Sequence, residues 1–403
     1  MKTLLISILI ALLFTSCSLL DLNKDLKKQK ELSVLRVYID IKLQHDAQIV
    51  VALVDLEGST VRDYRVLQEH KEVSFLVKQS KYKVYAFEDI DKNYKYSLNE
   101  RTVGSEAIVV DTGENEYSIR LKIDSAVAPD EYEYIETLVK SFKIKLDNST
   151  IHNGEIIPID AEIFSDKNIK MGLWESYKFV YEVPFGIFME HKYDPNKKIV
   201  LFVHGISGAP KNFKYLVDNL DKTKYQAFYA YYPSGLSLYD VSRYISRVLI
   251  EFKIKYQFDD IAIIAHSMGG LVSRNALNYL QSKNYDFVDT FITISSPLDG
   301  DKSANFGIKF APDIMPSIVD IANGSEFLQQ LYIRPLSEKV SYYLIFGVKG
   351  HKNDDGVVSI PSQLRMEAQN EASQVRGYNE NHMSILSSKD LSLYITKLLD
   401  NNY

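Results

Sequence analysis

Residues 261–277, IAIIAHSMGGLVSRNAL, change character twice within one short stretch. Ile261 to Ala265 form an apolar run of the kind a buried strand shows, and Leu271, Val272 and Leu277 resume at helical spacing. A strand that becomes a helix across His266-Ser267-Met268-Gly269-Gly270 brings two backbones close together, so its turn needs small residues. Ala265, Gly269 and Gly270 are small. Ser267 would then sit at a helix amino terminus, where unpaired N–H groups and the helix dipole favour developing negative charge. Ser267 is thus either a nucleophile or an ordinary residue of a tight turn, and the surrounding chain has to separate the two.

From Lys197 onward the same rhythm repeats. KIVLFVHG, QAFYAYYP, IAIIAHS, TFITISSP and YYLIFGV are nearly continuous apolar runs, as strands covered on both faces should be. Between them, Val241, Ile245, Val248, Phe252 and Tyr256 recur at three- and four-residue steps and make one buried helical face. This alternation predicts an α/β fold with a doubly wound, mostly parallel sheet and right-handed crossovers. Ligands in such sheets bind at the carboxyl ends of the strands. Ser267 falls at one of those ends.

On these residues the chain resembles the α/β-hydrolase fold, and within it the secreted bacterial lipases and esterases. Their nucleophile pattern is G-x-S-x-G, and Ala265 replaces its first glycine here, a change some bacterial lipases share. The resemblance implies a chain order of Ser, then Asp or Glu, then His. After Ser267 only His351 and His382 remain, and His351 precedes the acidic pair Asp354-Asp355. DGVV at 355–358 resembles the acid loop of several lipase families, which carries the acid role to Asp355, with Asp354 as its rival. His382 resembles the base of these enzymes, so the implied triad is Ser267, Asp355 and His382. LFVHG resembles the oxyanion loop, with His204 and Gly205 at its turn, and implies backbone donors at Ile206 and Met268. By the same resemblance His204 and His266 take orienting or packing places.

The amino-terminal half reads differently. Residues 4–14 are apolar but for Ser7, too short to span a membrane comfortably and suited to an export signal. The chain's one cysteine, Cys17, follows at once and cannot form an internal disulfide. LFTSC resembles the lipobox of bacterial lipoproteins. This implies acylation of Cys17 and an exported, membrane-anchored lipoprotein of a bacterial cell envelope. The Lys-rich stretch after Cys17 reads as a polar tether.

Six short segments rich in Val, Ile, Tyr and Phe then predict a small all-β sandwich: SVLRVYIDIKL, QIVVALVDL, EVSFLVK, KYKVYAFEDI, EAIVVDT and YSIRLKI. VYAFEDIDKNYKYSLNERTVG resembles prealbumin-like or immunoglobulin-like accessory domains of bacterial surface proteins. Within it Asp89, Asp91, Asn93 and Glu100 take the first, third, fifth and twelfth positions of a calcium loop, but Tyr94 stands where a sharp turn wants glycine. A solvated acidic hairpin is the favoured reading over a bound ion. The expected organisation is a lipoprotein signal at 1–16, a tether at 17–31, the sandwich at 32–125, a linker and lead-in at 126–180, and the catalytic α/β domain at 181–403.

A formal net charge of −6 over 403 residues, with no dense basic run, sets nucleic acid aside as a partner. No metal or other cofactor is called for. Ester or lipid substrates, cleaved through an acyl-serine, are the leading expectation. A thioesterase or amidase with the same triad, and a catalytically silent binding lipoprotein, are the alternatives. Ile308, Phe310, Ile314, Met315, Ile318, Val319 and Phe327, in an insertion around 300–330, either line an acyl pocket or lid or simply cover the sheet.

Overall fold

The structure, a computed structural model, describes residues 16–29, 31–41, 47–57, 60–67, 72–90, 100–111, 116–123, 152–310, 314–350 and 353–401. It divides into two compact units, one of residues 26–149 and one of residues 1–25 with 150–403.

The smaller unit is all-β. One of its sheets orders β4 (Glu72–Val77), β1 (Ser33–Asp40) and β8 (Glu116–Lys122); the other orders β3 (Thr60–Leu67), β2 (Gln48–Asp55), β5 (Ser80–Asp89) and β6 (Thr102–Gly104), with β7 (Ile108–Val110) also paired to β5. Alternate residues of β1, Leu35, Val37 and Ile39, share a core with Ile49, Val51 and Leu53 of β2 and Val84 of β5. The period-two pattern therefore turns one face of each sheet toward the other. All six expected segments are strands, and β3 and β6 are additional.

The larger unit is built on one seven-stranded sheet, ordered β15–β14–β13–β12–β10–β11–β9. Its strands are β9 (Gly186–Met189), β10 (Lys198–Val203), β11 (Tyr225–Tyr231), β12 (Ile261–His266), β13 (Val288–Ile294), β14 (Ser341–Gly347) and β15 (Gln374–Tyr378). Only β9 runs antiparallel to its neighbour; the other pairings are parallel. The expected doubly wound α/β sheet is thus present, with β12 at its centre. Two apolar cores cover its two faces, one holding Val241, Ile245, Val248 and Phe252 of the helix Leu238–Tyr256, the other Ile385, Leu391 and Ile395 near the carboxyl end.

One local reading is met in part and one is corrected. The stretch ESYKFVYEVPFGIFMEHKYDPNKK reads as contributing entry strands to the last domain; Gly186–Met189 is such a strand, paired to β11, whereas Ser176–Glu182 is helical. Of the stretch 17–31 expected as a tether, residues 17–29 lie in the helix Ser16–Gln29. Its Leu22 and Asp25 are buried, and the Asp25 carboxylate accepts the N–H groups of Tyr177 (2.7 Å) and Lys178 (3.0 Å). Those amides belong to the first turn of the helix Ser176–Glu182, which has no side-chain cap of its own. Asp25 caps it from elsewhere in the chain. Among the described residues, no helix is long and apolar enough to cross a membrane.

In the insertion, Met315 and Phe327 are buried, whereas Ile308 and Val319 are exposed. Phe327 belongs to the core on one face of the sheet and thus covers it.

Candidate active site

Ser267 joins β12 to the helix Met268–Ser282 with φ 54° and ψ −132°, a left-handed conformation that costs a non-glycine residue energy. The sheet holds it there, because its N–H donates to Ile294 O at 2.9 Å and its carbonyl accepts from Gly270 N at 2.9 Å. A Cβ on Gly269 would lie 2.3 Å from Val203 O, and one on Gly270 would lie 2.1 Å from Ser296 Oγ. Both glycines are required by close approach of backbone and neighbour. Ala265 is buried in β12, paired with Val203 and Thr293, so its methyl group is accommodated within the strand.

β10 ends next to β12 and carries the loop at His204. A Cβ on Gly205 would stand 2.7 Å from Ser267 Cβ and 3.1 Å from Ser267 Oγ, so this backbone lies directly on the serine. The loop turns through a Gly208 N–H bond to Gly205 O (3.1 Å) and a second left-handed residue, Ser207, with φ 51°. Ser207 N–H donates to Ser234 Oγ at 3.1 Å. His204 is not free to act as a base: its Nδ1–H donates to Gly205 O at 2.8 Å, and its ring stacks on Tyr232 at 4.2 Å between centroids. Burial pushes its pKa down to about 4, so the ring is neutral near neutral pH. Tyr232 returns the contact by donating its hydroxyl to His204 O. Among the described residues no backbone partner is found for the N–H of Ile206 or of Met268. Both are expected oxyanion donors.

Asp355 follows β14 and is fully buried. One carboxylate oxygen accepts the N–H groups of Val357 (2.9 Å) and Val358 (2.7 Å); the other lies 2.8 Å from His382 Nδ1. Burial works to raise its pKa, yet the hydrogen bond and charge of His382, together with those amides, outweigh it and hold the carboxyl below its ordinary value. Asp354 instead accepts Gly356 N–H (2.8 Å) within its own turn. The two neighbouring aspartates therefore differ in partner, and Asp355 is the one bonded to His382. The turn is stapled to β14 by Gln363, which accepts Gly347 N–H (2.9 Å) and donates to Gly347 O (3.1 Å) and Val358 O (3.0 Å).

His382 follows β15. Its N–H donates to Asp355 O at 2.9 Å, and its carbonyl is 2.8 Å from His266 Nε2. The two imidazoles lie 4.6 Å apart between centroids. With Nδ1–H directed at a carboxylate, His382 presents the lone pair of Nε2 as a base, which is the tautomer that proton abstraction from a serine needs.

The remaining expected residues lie elsewhere. Cys17 lies in the helix Ser16–Gln29. Asp89 and Glu100 are buried, with Asp89 accepting Gln48 Nε2–H (2.7 Å) and Glu100 accepting Ile90 N–H (2.9 Å), while Asp91 and Asn93 fall outside the described residues. No group of three or more candidate metal ligands occurs among the described residues. Reading the sequence missed Gln363 and Ser234, whose signals, a Gln in IPSQ and a Ser in YPSG, are too common to stand out.

Residues 194–316 match the model of the family described as "Putative serine esterase (DUF676)". That span includes His204, Gly205 and Ser267 and stops before Asp355 and His382. No curated protein matches the chain. Among solved structures, the lin2722 gene product of Listeria innocua aligns at 14% identity over 51% of this chain and 94% of its own, with a TM-score of 0.42. The mature Bacillus licheniformis lipase BlEst2 aligns at 19% identity over 53% of this chain and 97% of its own, TM-score 0.43. Aspergillus fumigatus lipase B aligns at 17% identity over 66% and 67%, TM-score 0.45. The family match spans the serine turn and the strands β10 to β13 of the seven-stranded sheet.

Proposed function

We propose that the chain cleaves carboxyl esters through a covalent acyl-Ser267, with His382 as general base and acid and Asp355 as its orienting carboxylate. The observation that carries this reading is the His382 Nδ1–Asp355 bond, 2.8 Å long and buried, at the carboxyl ends of the strands, where Ser267 also lies. In acylation, His382 Nε2 takes the Ser267 hydroxyl proton as Oγ bonds to the ester carbon. The resulting oxyanion is met by the N–H groups of Ile206 and Met268. Collapse breaks the bond to the leaving alcohol, which departs with the proton from His382 Nε2. Water then repeats the sequence on the acyl-serine and releases the acid. Asp355 stays ionised throughout and stabilises the imidazolium.

A fluorophosphonate probe tests the nucleophile, and ester turnover tests the reaction. The wild-type chain should label and hydrolyse a short-chain p-nitrophenyl ester; Ser267→Ala should lose labelling and about 10⁴-fold or more of kcat. Equal labelling of both proteins would remove Ser267 from the mechanism; an unlabelled wild type would favour the binding lipoprotein, and labelling without turnover of any ester in an acyl-length series would favour the thioesterase or amidase reading.

Export and acylation at Cys17 belong to the same proposal, supported by the apolar run before the chain's one cysteine. Wild type expressed in bacteria should take up radiolabelled palmitate and partition into detergent, and Cys17→Ser should do neither. Continued labelling of the serine variant would exclude that residue as the attachment point.

A further inference from the structure

The nucleophile's own strand also reaches the base. His266, the last residue of β12, lies 2.8 Å from the carbonyl oxygen of His382 through its Nε2, across 116 residues of chain. Both residues are buried, at 5% and 8% exposure. A carbonyl can only accept, so Nε2 of His266 carries the hydrogen. Burial keeps that ring neutral, with its pKa pushed down to about 3, so its second proton is absent at neutral pH.

The consequence is geometric. The His382 backbone is fixed on both sides, by its own N–H on Asp355 O at 2.9 Å and by its carbonyl under His266, while its ring is fixed by Asp355 Oδ2. His266 is itself locked into the sheet, paired with Ile294, and is the residue next to Ser267. The spacing between nucleophile and base is therefore tied directly to a rigid strand through one side chain, in addition to the bonds from the Asp355 loop.

We propose that His266 is a positioning residue for His382: its Nε2–H holds the base loop against the β12 end and sets the approach of the imidazole to Ser267. This rests on the reading of Ser267, Asp355 and His382 as the reacting groups. The role asks for a hydrogen-bond donor, because an apolar side chain of similar size would fill the space and leave the His382 carbonyl unpaired. The histidine is thereby distinguished from a packing residue by its nitrogen, not by its ring.

Two substitutions separate these possibilities. His266→Phe keeps a ring and removes the donor; His266→Gln keeps a donor at the matching distance from the main chain. If His266→Phe does not fold, as judged by thermal melting, His266→Leu takes its place. The apolar variant should lose about tenfold to about 10²-fold in kcat, the cost of misplacing a catalytic group by 1 Å or less, while KM stays within about twofold. His266→Gln should recover most of that loss. The downfield proton resonance of His382 Nδ1–H should shift or broaden in the apolar variant and return in the glutamine variant. Wild-type kcat together with an unmoved resonance in the apolar variant would overturn the proposal. So would equal loss in the apolar and glutamine variants with that resonance unmoved, which is the pattern of simple packing. Ser267→Ala, assayed beside them, tells the two levels apart. Retained turnover there removes the site itself, whereas an inactive serine variant beside a fully active His266→Phe removes only the role of His266.

Discussion

The two halves of the site are held in different ways. The turn at Ser267 is a steric object: a left-handed residue, two glycines whose side-chain positions are occupied by Val203 O and Ser296 Oγ, and a third glycine, Gly205, pressed on the serine itself. The proposed acid and base are held by hydrogen bonds between distant segments, Asp355 through the amides of Val357 and Val358 and the Gln363 staple, His382 through Asp355 and His266. The first half is built from residues that cannot be larger; the second from polar atoms that cannot be removed. Each should therefore fail in its own manner when it is changed.

The largest effect is expected on the hydrogen-bonded side. Asp355→Asn leaves the volume nearly unchanged but replaces a carboxylate by an amide that can direct N–H at His382 Nδ1. The imidazole then takes the opposite tautomer, with Nε2 protonated and unable to accept from Ser267, and kcat should fall by about 10⁴-fold. Asp354→Asn keeps the oxygen that accepts Gly356 N–H and should stay within about threefold of wild type. Steady-state kinetics on one ester checks both. If the Asp354 variant is the inactive one, the acid has been assigned to the wrong neighbour.

The steric side is broken by Gly205→Ala. Its added methyl would meet Ser267 Cβ at 2.7 Å, and relief requires the loop carrying Ile206 N–H to move away from the serine. Loss of one oxyanion donor costs about 10²-fold to 10³-fold in kcat, and the variant should show that loss with the fold intact by circular dichroism. A fully active Gly205→Ala would mean that the loop can retreat without disturbing the donor.

This contrast also explains what could be read from the chain alone. The parallel strands were legible because each is a run of apolar residues long enough to be recognised, and the serine turn was legible because its steric demands fall on adjacent residues. β3, TVRDYRVL, was not, since Arg62, Asp63 and Arg65 break its apolar pattern. The helix Ser176–Glu182 looked extended because Tyr, Phe and Val favour strands, and the group that caps its first turn, Asp25, is far away in sequence. Composition could not choose between Asp354 and Asp355, which differ only in the direction each side chain leaves the turn. Nor could it show that His266 bonds to His382, because the acceptor is a backbone carbonyl and carries no residue-type signal.

The smallest effect is on stability against pH, and it sharpens the same contrast because both histidines beside the serine turn are buried uncharged. His204 and His266 have folded pKa values of about 4 and about 3, against 6.5 for an exposed imidazole. Between those limits the unfolded chain binds protons that the folded chain refuses, so stability rises with pH there. Their contribution is complete above about 6.5 and is lost as pH falls toward the folded values, at about 1.4 kcal/mol per pH unit for each histidine once the unfolded imidazole is charged. Asp240 and Asp320, whose pKa values are raised by burial, act with the opposite sign, so wild type alone mixes the two. Comparing urea midpoints of wild type and His266→Gln from pH 7 to pH 4 cancels the carboxylates. The wild-type protein should lose stability more steeply, by the slope of one histidine, and parallel curves would mean that His266 is charged, or reached by water, in the folded chain.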